Sequence, residues 1–322
     1  MSTTPSYPIM APLPPERLTC SSPAFVNVGI DCFGPFQVII KRSLLKRYGC
    51  IISSFASRAS HLEVLHSLDA HLFILALRRY IARRGLPSTI FSDNGGNFVA
   101  VERILHGILT SDHVLRHLAD RQSEWMFMPA NAPHFGGIWE RLIAVAKRAL
   151  MAVLQGNTVT DELLITVFAE VESPLNGRPL AYIGTDSAHP EPLTPFLLLT
   201  GRANVHAPPD VLCDLKCTIQ KHWTRAVEIA DRFWRRWQRE YLPTLQGSSK
   251  WTSQNQDIQV DDVVLVVEPT YPRGHWPIGR VVQVFPGRNG RVRAASVRMK
   301  DGLYKRPVAK LAVLERAQDS SE

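Results

Sequence analysis

The sequence predicts an α/β domain with a mixed sheet covered by helices, followed by a helical segment and a small SH3-like β-barrel. In the first half of the chain, short apolar runs of strand length alternate with longer runs of helical period. A proline-rich stretch then separates this part from a long amphipathic pattern. The last part carries four short strand patterns with Asn-Gly and Asp-Gly turns, which are typical of β-hairpins.

Composition limits the class of protein and of partner. The chain has 322 residues, of which 45% are apolar and 20% charged, so it can bury the core of two or three domains. Its formal net charge of +8 favours a polyanionic partner, for which nucleic acid and an acidic membrane surface both qualify. No apolar run approaches the roughly 20 residues of a membrane helix. Of the two, we expect nucleic acid as the partner, with neither a membrane nor a small-molecule substrate.

Cysteine usage indicates a reducing compartment. Five cysteines are too few and too unevenly spaced for a disulfide framework. Only Cys213 and Cys217 have a ligand-like spacing, and the sequence offers no second pair nearby to complete a zinc site. We expect an intracellular protein without structural zinc.

The N-terminal third predicts an arm and three strands. Residues 1–22 are proline-rich and irregular and do not have the pattern of a signal peptide, so secretion is not expected. A strand over Phe25–Asp31 ends on an acid, and Phe33–Phe36, with its Gly-Pro pair, is expected to break it. Further strands over Tyr48–Phe55 and His61–Leu65 predict an antiparallel meander.

A helix and a fourth strand follow. Asp69 is a candidate N-cap of the helix, and Gly85–Pro87 ends it. The strand Thr89–Ser92 then leads directly to Asp93. This residue should lie at the carboxyl end of a strand, where α/β sheets place their catalytic groups.

The remainder of the first domain is predicted to be mainly helical. The predicted elements are a helix over Val99–Leu118, a strand over Glu124–Met128, a loop over 129–137, and helices over Ile138–Gln155 and Thr160–Asn176.

Beyond residue 176 the sequence predicts an irregular stretch, a helix and a β domain. Residues 177–212 are proline-rich, and Lys216–Tyr241 is a helix whose aromatic residues are predicted to be buried packing. The predicted strands are Asp261–Val267, Ile278–Phe285, Val292–Met299 and Leu303–Val308. We divide the chain into an arm (1–22), an α/β core (23–180), a proline-rich segment with the long helix (181–250), a basic β domain (251–316) and a tail (317–322).

Three acids of the core could form one site. Asp31 and Asp93 end predicted strands, and Glu140 lies in the first turn of its helix, with Lys147 further along the same edge. Two carboxylates about 4 Å apart repel each other by roughly 4 kcal/mol, and divalent cations remove that cost. Oxygen ligands suit Mg²⁺ or Mn²⁺, and two such ions would support phosphoryl transfer. The alternative is three unrelated surface acids.

Several motifs carry a family resemblance. They are Val28–Phe36, Ser92–Phe98, Ala132–Arg141, Trp234–Pro243, Gly279–Val282, Pro286–Arg293 and Lys305–Pro307. Together they resemble the integrase region of Pao/BEL-type LTR retrotransposons, and the resemblance covers nearly the whole chain from about Met10.

The resemblance implies a ribonuclease-H-like core with a metal-binding triad of Asp31, Asp93 and Glu140. It implies an enzyme that trims the 3′ ends of an element and joins them to target DNA, using Mg²⁺ or Mn²⁺. The expected partners are double-stranded DNA and further copies of the chain, and the expected location is the nucleus or otherwise the cytoplasm. Residues expected to contact DNA are Asn94, Asn97, Asn131, His134, Lys147, Arg280, Arg288, Arg291, Arg293, Lys305 and Arg306.

Alternatives remain at this point. The zinc-binding domain that usually precedes such cores is not found, so the chain is expected to be a polyprotein fragment, a truncated gene product or a domesticated remnant. A ribonuclease-H-type nuclease without joining activity is one rival, and a non-catalytic DNA-binding protein is another. Lys147 and the basic β domain could also be ordinary solvated surface.

Overall fold

The computed structural model describes residues 23–92, 123–127, 137–183, 191–202, 218–245, 257–268, 271, 273–287 and 290–317. The chain divides into two compact units, each of which is described by itself. The first comprises Met1–Lys147 with Thr158–Asp161, and the second comprises Arg148–Asn157 with Glu162–Glu322. The finer division into core, linking segment and β domain stays a prediction.

A five-stranded mixed sheet forms the centre of the first unit. Its order is β3-β2-β1-β4-β5, with β1 to β3 antiparallel, β4 parallel to β1, and β5 parallel to β4. A three-stranded meander extended by parallel strands is the arrangement of ribonuclease-H-like folds, and the predicted mixed α/β class is confirmed. The strands are β1 (Asn27–Ile40), β2 (Ser43–Ser54), β3 (Ser60–Leu65), β4 (Thr89–Ser92) and β5 (Glu124–Phe127).

The predicted break after Asp31 is wrong. Strand β1 continues to Ile40, and its register against β2 shifts between Phe33 and Phe36. Gly34, at φ +124°, and Pro35 have no partner in this register, so they form a bulge. A bulge tolerates proline because no ladder hydrogen bond is needed there. Asp31 therefore lies inside a strand and not at its end.

Helix α1 (Ala70–Arg84) agrees with its predicted position and ends before Gly85. Asp69 occupies the N-cap position, but its side chain accepts a hydrogen bond from Ser67 Oγ and makes no capping bond. The helix buries Phe73 and Tyr80, and the Tyr80 ring lies 5.8 Å from that of Phe25. These contacts cover one face of the sheet.

Two further helices follow the sheet in the chain. Helix α2 (Gly137–Leu154) and helix α3 (Asp161–Asn176) begin and end within a residue of their predicted limits. Val145 and Ala149 of α2 are buried and Ala144 is exposed, so the helix has an apolar and a polar side. The predicted helix over Val99–Leu118 lies outside the described residues.

The prediction that residues 177–212 are wholly irregular is wrong. Strands β6 (Ala181–Ile183) and β7 (Glu191–Leu193) pair antiparallel, and helix α4 covers Pro195–Thr200. Thr194 caps α4 by accepting a hydrogen bond from the Leu197 amide at 3.1 Å. Elements of three to six residues are too short to show a hydrophobic period, which is why the sequence did not indicate them.

Helix α5 (Thr218–Leu245) extends past its predicted end. Phe233, Trp234 and Trp237 are buried, as predicted, and the side chain of Trp223 lies outside the described residues. Tyr241 is buried as well, and Trp276 packs against this group. No helix in the described part of the chain has the length and apolar character needed to cross a membrane.

The β domain is a five-stranded antiparallel sheet in the order β11-β10-β9-β8-β12. Four strands were predicted, and the fifth, β12, was missed because a short 3₁₀ turn connects it to β11 without a glycine or proline turn signal. The buried core includes Val264, Val281, Ala295 and Val297. The strands are β8 (Val263–Val266), β9 (Ile278–Pro286), β10 (Val292–Met299), β11 (Gly302–Pro307) and β12 (Leu311–Glu315).

Candidate active site

Asp31 lies where the parallel pairing of the sheet stops. Strand β1 pairs with β4 from Asn27 to Ile30, and the last pair is Ile30 with Ser92. Asp31 is the next residue of β1, opposite Ile51 of β2. Its side chain is 31% exposed. Although Asp31 does not end β1, it still lies at the carboxyl end of the parallel strand pair, where the prediction expected an acid.

The side chain of Asp31 projects from the face of the sheet opposite helix α1. Its neighbour Cys32 is in register with Cys50, and Cys50 with Glu63. Glu63 accepts a hydrogen bond from Arg79 of α1, so these residues share the α1 face. Because neighbouring residues of a strand alternate between faces, Asp31 belongs to the other face.

Lys147 of helix α2 is the cation next to Asp31. Its Nζ donates to Asp31 Oδ2, and its side chain is 25% exposed. The structure thus brings together two of the predicted site residues. Glu140 lies on the same helix seven residues earlier, about 10 Å along the axis. The side chain of Glu140 lies outside the described part of the chain.

The end of β4 is held by a hydrogen bond that the sequence analysis missed. Trp125 Nε1 donates to the Oγ of fully buried Ser92 at 2.8 Å, and the Trp125 ring lies 6.2 Å from that of Phe73 in α1. Ser92 therefore faces α1, while Phe91 faces the other side, as Asp31 does. The signal that could have predicted this hydrogen bond is a serine at an otherwise apolar position of the strand.

An aromatic ring supports the sheet beside Asp31. Phe33, two residues further along β1, lies over Gly49 of β2. A Cβ at Gly49 would meet ring atoms of Phe33 at 2.5 Å, which no ordinary contact allows. Glycine at this position is therefore required by the close packing of the ring and not by backbone conformation.

The α1 face carries two polar groups that the sequence did not reveal. The hydrogen bond with the Cys32 thiol and burial raise the pKa of Cys50, so the Cys50 thiol stays protonated. Glu63 is buried and contacts His61, Arg79 and Arg83. Burial alone would raise the pKa of Glu63, but the His61 hydrogen bond and the Arg79 charge outweigh it, and the pKa is lowered.

Several predicted site residues lie outside the described residues. They are Asp93, Asn94, Asn97, Asn131, His134 and Arg288. Within the described residues, no group of three His, Cys, Asp or Glu side chains could hold a metal ion. Because Asp93 and the Glu140 side chain are not among those residues, the triad stays a prediction.

The cations predicted in the β domain fall into different environments. Arg280 is directly opposite Arg298 across β9 and β10, and Lys305 Nζ lies 3.6 Å from the centre of the Phe285 ring. Arg306 instead contacts Glu268 at 3.0 Å. Arg291 and Arg293 are exposed. Arg306 is thus paired with an acid of its own domain. Among the described residues, Arg291, Arg293 and Lys305 are exposed and can contact phosphate without breaking an ion pair of this kind.

The comparisons with known proteins include one family and several structures. The sequence profile of a family of unknown function, DUF5641, matches residues 221–314, which cover most of α5 and nearly all of the β domain. No curated protein matches the sequence significantly.

Solved structures similar to this chain include retroviral integrases. One is a simian T-cell lymphotropic virus intasome in complex with the PP2A regulatory subunit B56 gamma. It has 14% identity and a TM-score of 0.34, with 90% of this chain and 79% of that chain covered. Another is the HTLV-2 integrase catalytic core domain in complex with magnesium, in a trimeric form. It has 15% identity and a TM-score of 0.33, with 55% of this chain and 97% of that chain covered. At such scores, the fold assignment depends on the strand order.

The donor chemistry of the described part of the site fits a hard divalent cation. Asp31 supplies carboxylate oxygens, which Mg²⁺ and Mn²⁺ prefer. A positive group already contacts this carboxylate in the form of the Lys147 ammonium.

Proposed function

We propose that this protein is a metal-dependent DNA strand transferase of the retroelement integrase type, with Asp31, Asp93 and Glu140 as its triad and Pao/BEL elements as its family. The observation that carries the proposal is the position of Asp31. It lies at the carboxyl end of the parallel pair β1/β4, on the face that Lys147 of α2 reaches.

Chain connectivity supports the inclusion of Asp93. The last residue of β4 is Ser92, in register with Ile30, and Asp93 follows it in the sequence as Asp31 follows Ile30. The inclusion of Asp93 depends on this place in the sequence, one residue after the strand that pairs with β1 as far as Ile30.

Glu140 is included because of its helix. Glu140 shares α2 with Lys147. The Lys147 ammonium contacts Asp31, so α2 passes close to Asp31. When bound by such carboxylates, Mg²⁺ or Mn²⁺ supplies activation of an attacking oxygen and stabilisation of a leaving oxygen in phosphoryl transfer. In this proposal, the three carboxylates hold the metal ions and orient the DNA backbone beside them.

DNA is the proposed substrate and partner. The exposed Arg291, Arg293 and Lys305 of the β domain would bind phosphates with a strong dependence on salt. We also propose a homo-oligomer, in which the two ends of an element occupy the active sites of different copies. A chromosomal target would place the reaction in the nucleus.

The test is an end-processing and joining assay with labelled duplex DNA and Mg²⁺ or Mn²⁺. We expect nicked and joined products from the parent protein and none from Asp31→Asn or Glu140→Gln. Glu124→Gln is the matched control, because Glu124 is exposed on β5 away from the proposed site. Full activity of Glu140→Gln, or no product from the parent protein, would contradict the proposal.

Product analysis separates the rivals. Nicks without joined strands indicate a nuclease. Salt-sensitive DNA binding without metal-dependent products indicates a non-catalytic DNA-binding protein, which the exposed cations of the β domain alone would support.

A further inference from the structure

The hairpin of β1 and β2 extends beyond the rest of the sheet. Strand β3 pairs with β2 only from Tyr48 to Ser53. On that side, Ser43–Lys46 has no partner strand within the described residues, and we call this stretch the hairpin edge. All four of its residues are exposed. An unpaired strand edge is a template for another strand, and proteins usually cover or shorten it.

The opposite side of the hairpin is already occupied. The Ile39 amide donates to the Val159 carbonyl at 2.8 Å, and the Val159 amide donates to the Gln37 carbonyl at 3.4 Å. The segment Thr158–Asp161 thus covers the β1 side. Within the described residues, only the β2 side of the hairpin remains open.

Arg47 marks where the hairpin edge begins. Its guanidinium binds Asp161 with two hydrogen bonds of 2.7 and 2.9 Å and also donates to the carbonyls of Lys46 and His66. Because His66 directly follows β3, the Lys46 carbonyl points to the β3 side. Backbone groups alternate along a strand, so the amide and carbonyl of Leu44 also point outward.

Large apolar side chains are exposed around the hairpin edge. Leu44 is 60% exposed, Leu45 42% and Ile39 41%. Ile39 and Leu44 are opposite each other in the register and therefore share a face. A cluster of exposed apolar residues beside an open edge is typical of an interaction site and not of scattered surface residues.

The charged side chains of the hairpin beyond Asp31 are all positive, and the neighbouring Asp161 carboxylate is already paired with Arg47. Lys41, Arg42 and Lys46 are exposed, and the sequence has no acidic residue between Asp31 and Glu63. Two copies of this edge would repel each other if they paired, whereas an acidic segment would be attracted. Leu44 and Lys46 are on the same face, two residues apart, so a partner strand would place an apolar and an acidic residue opposite them.

We propose that the hairpin edge binds an extended acidic and apolar peptide segment of a partner protein, which adds to the sheet as a further strand. Backbone hydrogen bonds to Leu44 supply part of the affinity, and side chains opposite Leu44 and Lys46 supply the selectivity. Nucleic acid fits this surface less well, because phosphate groups neither bury exposed leucines nor pair with the open backbone edge as a strand does.

The test uses a fluorescent eight-residue peptide in which glutamate and valine alternate on one face and threonine occupies the other. Its binding to the full chain is measured by fluorescence anisotropy. We expect saturable binding that Lys46→Glu weakens at least tenfold and Leu44→Thr at least threefold. Leu303→Thr is the matched control, since Leu303 is also 60% exposed on a strand, and it should leave binding unchanged.

Several results would overturn the proposal. One is that the peptide shows no saturable binding. Others are equal binding of a peptide with lysine in place of glutamate, and an equal loss of binding in Leu303→Thr. Displacement of the peptide by duplex DNA, in the parent protein and also in Lys305→Glu, would assign the edge to nucleic acid. Sedimentation of the parent protein and of Leu44→Thr at the same concentration tests self-association, and dimerisation lost only in the variant would assign the edge to a second copy.

Discussion

The buried carboxylate of Glu63 should stabilise the fold in a way that depends on pH. Its side chain is 6% exposed and contacts Arg79 Nε at 3.0 Å and Arg83 Nη1 at 2.6 Å. Glu63→Gln keeps the size of the side chain but removes its charge and sets an NH₂ group against donors. Because the two arginines are 44% and 59% exposed, solvent weakens each pair to at most about 1 kcal/mol. With the mismatched amide, we expect a loss of about 2 kcal/mol in unfolding free energy.

The sign of the pH dependence follows from the lowered pKa of Glu63. A carboxyl group with a folded-state pKa below its ordinary value of 4.5 contributes stability above that pH, and the contribution is lost as the pH falls through the folded-state pKa. Urea unfolding followed by circular dichroism should show the full difference between parent and Glu63→Gln at about pH 7, and the difference should shrink as the pH falls below 4.5. Glu124→Gln, which changes an exposed acid, serves as the control. Equal stability at neutral pH, or a difference that does not shrink in acid, would refute this reasoning.

Three further predictions concern the site and the aromatic core. Gly49→Ala should lower the unfolding free energy by about 1–3 kcal/mol, because its methyl group meets the Phe33 ring, and a stability equal to the parent in urea would contradict this. Lys147→Met should lower the unfolding free energy by about 1 kcal/mol without metal, because Asp31 loses its ion-pair partner. The same change should enlarge the stabilisation of the fold by Mg²⁺. Thermal unfolding with and without Mg²⁺ measures both effects, and an unchanged effect of Mg²⁺ would contradict a metal site at Asp31. Trp237→Ala should cost about 3–5 kcal/mol by emptying a fully buried position, measured by urea unfolding, and a loss below about 1 kcal/mol would show that the neighbouring rings close the cavity.

Much of the local structure was predictable because it depends on short-range signals. The Gly-Leu-Pro stop after α1 and the apolar run of β4 placed these elements correctly. The signal failed at Phe33–Phe36, where a glycine and a proline usually end a strand. The strand continues through a bulge against β2. The bulge depends on pairing with β2, which the residues Phe33–Phe36 themselves do not indicate.

The candidate site was predictable only in part. Asp31 and Lys147 were singled out from their positions in a strand and a helix, and the structure places them in contact. Their contact depends on how α2 packs against the sheet, and the hydrophobic period of the sequence does not predict that packing. Glu63 was not singled out at all, since a single acid in a short apolar strand gives no sign of the arginines that approach it from α1.

The sequence by itself determined the secondary-structure class, the positive charge and the acids that end or begin elements, because these depend on residue type and local spacing. Only the tertiary structure decided that Asp31 projects from the face opposite α1, that Phe33 requires glycine at position 49, and that β2 leaves an open edge at Ser43–Lys46. The physical reason is the pairing of strands. Register and face are set by which residues of distant segments share hydrogen bonds, and a shift of one residue would reverse every side chain.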